Sequence, residues 1–109
     1  MTRIAFEGFG AIRDHMGKKF RVYGTVLVPN GGFRAHLEVV APQGINPDDL
    51  LLKLVFQPDF ENTPREQLVE YQEAWGDGEP PTYSTATFLI EGPVEGLEPP
   101  APVRIQDVY

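Results

Sequence analysis

The sequence has no cysteine, only two histidines and few basic residues, and each shortage excludes a class of function. Without cysteine, disulfide bonds, thiolate zinc sites and a cysteine nucleophile are excluded. Nine lysine and arginine residues stand against sixteen aspartate and glutamate residues, which gives a net charge of −7. A nucleic-acid-binding protein needs a basic surface that displaces phosphate counterions, so we expect no nucleic-acid partner.

Long apolar runs are also missing. The longest, Leu50 to Phe56, is interrupted by Lys53 and is too short to cross a bilayer. The N-terminal residues have no apolar core because Glu7 and Arg13 interrupt them, so we expect no signal peptide. Together with the absence of cysteine, these features predict a cytoplasmic protein with no membrane partner. A length of 109 residues predicts a single domain over residues 1–109.

The charge is unevenly distributed along the chain. Residues 1–40 hold six basic and three acidic residues, whereas residues 41–109 hold three basic and thirteen acidic residues. A concentration of one sign influences association with partners of the opposite sign more than it influences the fold. The acidic second part therefore predicts a basic partner.

Two alternating runs in the first half of the chain predict a β-hairpin. Phe20–Pro29 and Phe33–Ala41 flank the turn sequence Asn30-Gly31-Gly32. With Val28 opposite Phe33, one face of the hairpin holds only apolar residues and glycine, and a shift by one residue would move every side chain to the other face. The residues of this face are Val22, Gly24, Val26, Val28, Phe33, Ala35, Leu37 and Val39.

Further strands are predicted on both sides of this hairpin. In the first, Gly8 and Gly10 indicate a bulge or a close backbone approach. Residues 47–57 have two interpretations, because Asn46-Pro47 is a good helix start whereas the alternation after it is typical of a strand. We favour the strand. The proline-rich residues 92–102 predict an extended, exposed connection. The predicted strands outside the hairpin are Arg3–Phe9, Leu50–Phe56, Thr82–Glu91 and Val103–Tyr109.

One helix is predicted between the fourth and fifth strands. Thr63-Pro64-Arg65-Glu66 has the pattern of a capping box with proline at the first helical position. A helix from Pro64 to about Trp75 would place Leu68, Tyr71 and Trp75 on one apolar side. The predicted fold is therefore mainly β, a small antiparallel β-sandwich or open barrel of about six strands with one inserted α-helix.

The same segment carries the candidate interaction surface. On a helix, Glu66, Glu70, Glu73 and Asp77 would follow one another at spacings of three and four residues and form an acidic ridge. Like charges at this spacing cost about 0.2–0.5 kcal/mol per pair, so a helix that keeps them suggests a function for them. Trp75 is a candidate interface anchor. A face that only keeps the protein soluble would carry the same charges, and Asp77 and Glu79 near Glu73 would suit a divalent cation, although no calcium-loop pattern is present.

The sequence offers no set of residues that would make up a catalytic site. His15 and His36 lie on different predicted elements, and neither has an acidic residue at the spacing of a triad or a metal site. Capping of strands or helices accounts for Asp48 and Asp49. We therefore expect no catalytic residue, no metal site and no cofactor, which favours a non-enzymatic protein over an enzyme.

The resulting hypothesis is an acidic protein-interaction module that binds a basic partner, such as an inhibitor, an immunity-type antagonist or an accessory subunit. Two alternatives remain open. One is a small β-rich structural subunit of a virion-like assembly, joined through sheet edges and the proline-rich segment. The other is a small-ligand-binding protein or enzyme with a pocket between helix and sheet. The sequence leaves the oligomeric state open.

Overall fold

The computed structural model describes residues 4–61, 63–94 and 96–109. Over these residues the protein forms seven strands and no helix. They make one nearly closed, barrel-like sheet in the order β3-β4-β6-β7-β1-β2-β5. The strands are β1 Ala5–Asp14, β2 Lys19–Leu27, β3 Phe33–Val39, β4 Asp49–Pro58, β5 Glu66–Ala74, β6 Thr85–Glu91 and β7 Val103–Val108.

The mainly β class is confirmed, but the inserted helix is wrong. The segment with the capping-box pattern forms β5, in which Gln67 and Val69 are buried while Leu68 is 83% exposed. That alternation is the period of a strand. A helix cap contributes only about 0.5–2 kcal/mol. The continuous backbone ladder from Leu27 opposite Glu66 to Lys19 opposite Ala74 outweighs it.

The predicted pairing of the central hairpin is also wrong. Asn30-Gly31-Gly32 does turn the chain, and the Gly31 N–H donates to the Val28 carbonyl at 2.9 Å. The two strands then diverge, because β2 pairs with β1 and β5 whereas β3 pairs with β4. The place beside β2 that the hairpin would give to β3 is taken by β5.

The predicted inward face of these two strands is nevertheless largely correct. Six of its eight residues are buried, while Val39 at the end of β3 is 42% exposed. Side-chain alternation depends on which face of the sheet is buried and not on which strand lies alongside, so the pattern survives the change of partner. The buried residues of this set are Val22, Gly24, Val26, Val28, Ala35 and Leu37.

The remaining predicted strands are found, and β4 settles the ambiguous segment as a strand. The sheet is not purely antiparallel, since β1 pairs with β7 and β4 with β6 in parallel. The core is formed by large apolar side chains from both halves of the sheet. Those that are fully buried include Phe20, Phe56, Phe88, Leu50, Leu52 and Leu54.

A β-bulge in β1 brings an aromatic ring into this core, as the two glycines predicted. The register of β1 against β2 shifts between Glu7 and Gly10, and Gly8 has a φ of 65°. The extra residue lets Phe9 turn inward, where its ring centroid lies 5.1 Å from that of Phe88. The Phe9 ring covers Gly24 so closely that a Cβ there would lie 2.4 Å from it.

The described part of the chain contains no helix that is long and apolar enough to cross a membrane.

Candidate functional site at the gap between β3 and β5

The two edge strands of the sheet, β3 and β5, meet at one end through a side chain. The Gln67 side-chain oxygen accepts the Ala35 N–H at 2.9 Å. The Gln67 side-chain NH₂ donates to the carbonyls of Phe33 at 2.8 Å and Pro64 at 2.9 Å. Gln67 is only 7% exposed, so its amide closes the barrel where no backbone ladder joins the two strands.

The backbone bonds at the two ends of β5 show which of its groups face away from β2. The Val28 N–H donates to the Arg65 carbonyl at 2.7 Å, and the Trp75 N–H donates to the Lys18 carbonyl at 3.2 Å. Hydrogen-bonded pairs alternate along an antiparallel ladder. The intervening residues Leu68, Glu70, Gln72 and Ala74 therefore direct their N–H and C=O groups away from β2. Within the described residues, no strand pairs with that edge.

The facing edge of β3 also has backbone groups that no strand pairs with among the described residues. The Val40 N–H donates to the Leu51 carbonyl at 3.1 Å, so the alternate residues Leu37 and Val39 direct their backbone groups away from β4. Beyond the Gln67 bridge, the edges of β3 and β5 are thus both without a strand partner among the described residues. We call the space between these two edges the β3–β5 gap and define it by residues 37–39 and 70–74.

The predicted acidic ridge does not lie on one face. Glu66 and Glu70 project outward and are exposed, and Glu70 accepts a bond from Arg21 at 2.7 Å. Asp77 lies in the turn after β5, fully exposed and 4.0 Å from Lys18. Glu73 has the opposite orientation, since it follows the inward alternation of β5. The helical spacing that would align these carboxylates is lost because the segment is a strand.

Glu73 lies opposite Phe20 at the end of the barrel, near two tyrosines. Burial raises the pKa of Tyr71, and the negative charge of Glu73 and hydrogen bonding to its carboxylate raise it further. The same three causes, in the same order, raise the pKa of Tyr83. The Glu73 Oε2 atom is buried and has no hydrogen-bond partner among the described residues. Such an atom is uncommon in folded proteins and indicates a functional position or a missing partner.

An ion cluster holds the segment that carries Tyr83. Arg13 donates to both carboxylate oxygens of Asp107, and it also donates to the carbonyls of Pro81 and Tyr83 at 2.8 and 2.9 Å. The bond from Arg13 and a second contact from His15 Nε2 at 2.8 Å hold the pKa of Asp107 well below its usual range. Arg13 thereby joins β1 and β7 to the connection between β5 and β6.

Trp75, the predicted anchor, lies at this end of the barrel. It is partly buried, and its ring meets the His15 ring edge to face at a centroid distance of 5.9 Å. The His15 ring also stacks in parallel on the Tyr109 ring, and the two centroids are 4.3 Å apart. Tyr109 itself is 82% exposed. Trp75 therefore belongs to an aromatic group and is not an isolated anchor.

The other candidate residues are occupied by structural contacts. His36 lies opposite Val55 on the outer side of β3 and contacts Glu38 at 2.8 Å. Asp49 accepts the hydroxyls of two threonines on β6, and Asp59 accepts a bond from Arg34. In the described part of the chain, no three histidine, aspartate or glutamate side chains are grouped to hold a metal ion.

The pocket expected between helix and sheet is not formed, because the described residues contain no helix. An open groove of about 360 Å³ lies instead between the bulge of β1 and the proline-rich connection. It is lined by Phe6, Glu7, Gly8, Phe9, Pro100, Ala101, Pro102 and Val103.

Several residues of the candidate site were not singled out from the sequence. Tyr83, Arg13 and Asp107 come together only through the fold, and nothing in their local sequence marks them. Gln67 was also missed, because its inward position follows only from the strand alternation of β5. No protein-family model, curated protein or solved structure matches the chain.

Proposed function

We propose that the protein is a non-enzymatic interaction module that binds a basic protein partner at β5. One observation carries the proposal: β5 is an edge strand on which the 83% exposed Leu68 stands between the exposed carboxylates of Glu66 and Glu70. An apolar contact surrounded by polar groups is typical of a protein interface. The absence of cysteine and the acidic composition fit a cytoplasmic module of this kind.

The charge on β5 limits what the partner can be. An exposed strand edge invites pairing with any other strand, and charged side chains discourage it. Glu66 and Glu70 would repel a second copy of the same acidic edge, whereas a basic partner would be attracted and steered toward it. This argument disfavours an assembly of identical subunits through β5.

A photo-cross-linking experiment tests the position of the interface. A photoreactive residue replaces Leu68 in one variant and Leu89, which is 45% exposed on β6, in a control variant. In the cells that produce the protein, we expect an adduct with a basic protein from position 68 and none from position 89. Equal adducts from both positions, adducts with an acidic protein, or no adduct from position 68 would contradict the proposal.

Charge reversal tests the electrostatic part. We expect Glu66→Lys with Glu70→Lys to slow association with the cross-linked protein and to weaken its dependence on salt. The control is Glu79→Lys with Glu98→Lys, which changes the net charge equally at exposed positions away from β5. If both double variants slow association equally, the net charge of the protein determines the association rate and the β5 surface does not.

A further inference from the structure

We propose that β5 accepts an extended segment of the partner as an added strand, and that a basic side chain of this segment enters the β3–β5 gap and binds the Glu73 carboxylate. This inference rests on the proposed function, since it specifies how the basic partner would bind at β5. It assigns Glu73, Tyr71 and Tyr83 to recognition of one cationic side chain.

The backbone of β5 supplies the first part of such a site. Leu68, Glu70, Gln72 and Ala74 direct their N–H and C=O groups toward solvent and the gap, as the bonds at the two ends of β5 require. Extended peptides bind edges of this kind by continuing the sheet, with the main chain providing affinity and alternate side chains providing specificity. The Gln67 bridge blocks the first part of the edge, so the added strand would pair with residues 70–74.

Side-chain alternation then determines which residue of the added strand meets Glu73. Residues directly opposite each other on neighbouring strands point to the same face, with Cβ atoms about 4.5–5.5 Å apart. The residue opposite Glu73 would therefore point into the barrel, whereas its neighbours along the added strand would point outward beside Gln72 and Ala74. A lysine at the inward position would reach the carboxylate while its aliphatic stem covers Tyr71.

The state of the Glu73 carboxylate supplies the second part. Its Oε2 atom is buried without a hydrogen-bond partner among the described residues, and leaving such an atom unpaired is costly. An ammonium group would satisfy it. The rings of Tyr71 and Tyr83 favour the same ligand, because aromatic faces attract cations. The Tyr83 ring is packed against Phe20 at a centroid distance of 5.4 Å. The carbonyl contacts of Arg13 keep Tyr83 in this position.

Synthetic peptides test the inference before the partner is identified. The probes are eight-residue peptides of alternating threonine and valine, with one lysine placed at each position in turn and norleucine as the uncharged control of similar length. Binding is measured by NMR titration of the labelled protein. We expect the best lysine peptide to bind about tenfold more tightly than its norleucine control, the factor that one charge-assisted hydrogen bond supplies.

Two further readouts separate strand addition from simple charge attraction. The backbone amides of Gln72 and Ala74 should exchange with solvent more slowly in the complex. Glu73→Gln should remove the preference for lysine, whereas Glu98→Gln, at an exposed position of the proline-rich connection away from β5, should change affinity by less than about threefold, as expected for an exposed charge. Spectra of each variant without peptide check that the fold is retained.

A second pair of variants keeps the test independent of Glu73. Gln72→Pro removes a donor from the free edge without removing a bond to β2, because proline is tolerated at such positions of edge strands. It should abolish peptide binding, whereas Gln72→Ala should not.

Each negative result has a distinct meaning. Equal affinity for lysine and norleucine peptides would overturn the role of Glu73. Unchanged exchange of the Gln72 and Ala74 amides, or no binding of any peptide at millimolar concentration, would overturn strand addition. The cross-link from position 68 to a basic protein would survive these results, so the proposed function fails only on its own experiment.

Discussion

The side-chain oxygen of Gln67 accepts the backbone N–H of Ala35 at 2.9 Å, so a side chain on β5 takes the place of the missing backbone partner of β3. The same amide also donates to the Phe33 carbonyl at 2.8 Å. One glutamine therefore joins the two edges of the sheet and determines where the β3–β5 gap begins.

Replacing this glutamine should destabilise the protein. Gln67→Leu keeps an apolar stem of similar length but leaves the Ala35 N–H and the Phe33 carbonyl without their partner, and an unpaired buried polar group costs about 1–3 kcal/mol. Urea unfolding measures the loss. Gln72→Leu, on the exposed side of the same strand, is the control and should change stability by no more than about 0.5 kcal/mol. Equal losses of unfolding free energy in the two variants would mean that the Gln67 bridge does not stabilise the protein.

The strand at residues 66–74 can be tested by a pair of neighbouring substitutions. Val69→Ala removes methyl groups from a side chain that is 3% exposed and should cost about 1–3 kcal/mol. Leu68→Ala changes an exposed side chain and should stay within about 0.5 kcal/mol. On the predicted helix, Leu68 would belong to the buried stripe, so a larger loss from Leu68→Ala than from Val69→Ala would favour a helix.

The contact of Phe9 with Gly24 predicts an intolerance of side chains at position 24. Gly24→Ala would force a methyl group against the Phe9 ring, and such overpacking costs about 1–3 kcal/mol. Adding Phe9→Leu should recover part of the loss, which a double-mutant cycle in thermal unfolding would measure. Gly44→Ala is the control, because its Cβ would meet only the end of the Leu51 side chain. A loss from Gly24→Ala that is the same in both backgrounds would exclude the ring as its cause.

The ion cluster around Asp107 predicts a dependence on pH. Arg13 and His15 lower the pKa of Asp107 in the folded state, so its contribution to stability is complete above the unfolded-state pKa of about 3.9 and is lost as the pH falls toward the folded-state value. The difference in Tm between the wild type and Asp107→Asn should be larger at pH 6 than at pH 2.5 and should shrink below about pH 4.

Asp77→Asn is the control for this pH dependence, because Asp77 is fully exposed and lies 4.0 Å from its nearest cation, Lys18. The difference in Tm between Asp77→Asn and the wild type should be small at every pH. If the difference for Asp107→Asn is as large at pH 2.5 as at pH 6, the carboxylate charge is not what stabilises the cluster.

Most of the strands were predictable because burial leaves a period of two in the sequence. In β5 this period was hidden. The inward positions 67 and 73 hold a glutamine and a glutamate, so the apolar alternation that indicates a strand is broken at both ends, while the capping-box pattern before it is intact. The polar residues that disguised the strand are those that bridge the barrel and form the candidate site.

Strand partners were less predictable than strand positions. The turn after Val28 is real, yet the choice between β3 and β5 as the neighbour of β2 depends on contacts between residues far apart in sequence. The same limit applies to the candidate site. Glu73 and Trp75 were selected for their place on a helix that is not formed, and the contact of Arg13 with Asp107 joins residues 94 positions apart.

The turn at Asn30-Gly31-Gly32 joins two strands that do not pair with each other, and this has a consequence for how the chain folds. A hairpin closed by such a turn forms within about 1–10 μs, long before residues 19–27 can find residues 66–74. If that hairpin forms first, it occupies the edge of β2 that β5 requires and has to dissolve before the native ladder is complete. The strongest local signal in the sequence thus favours a strand pairing that the native sheet does not contain.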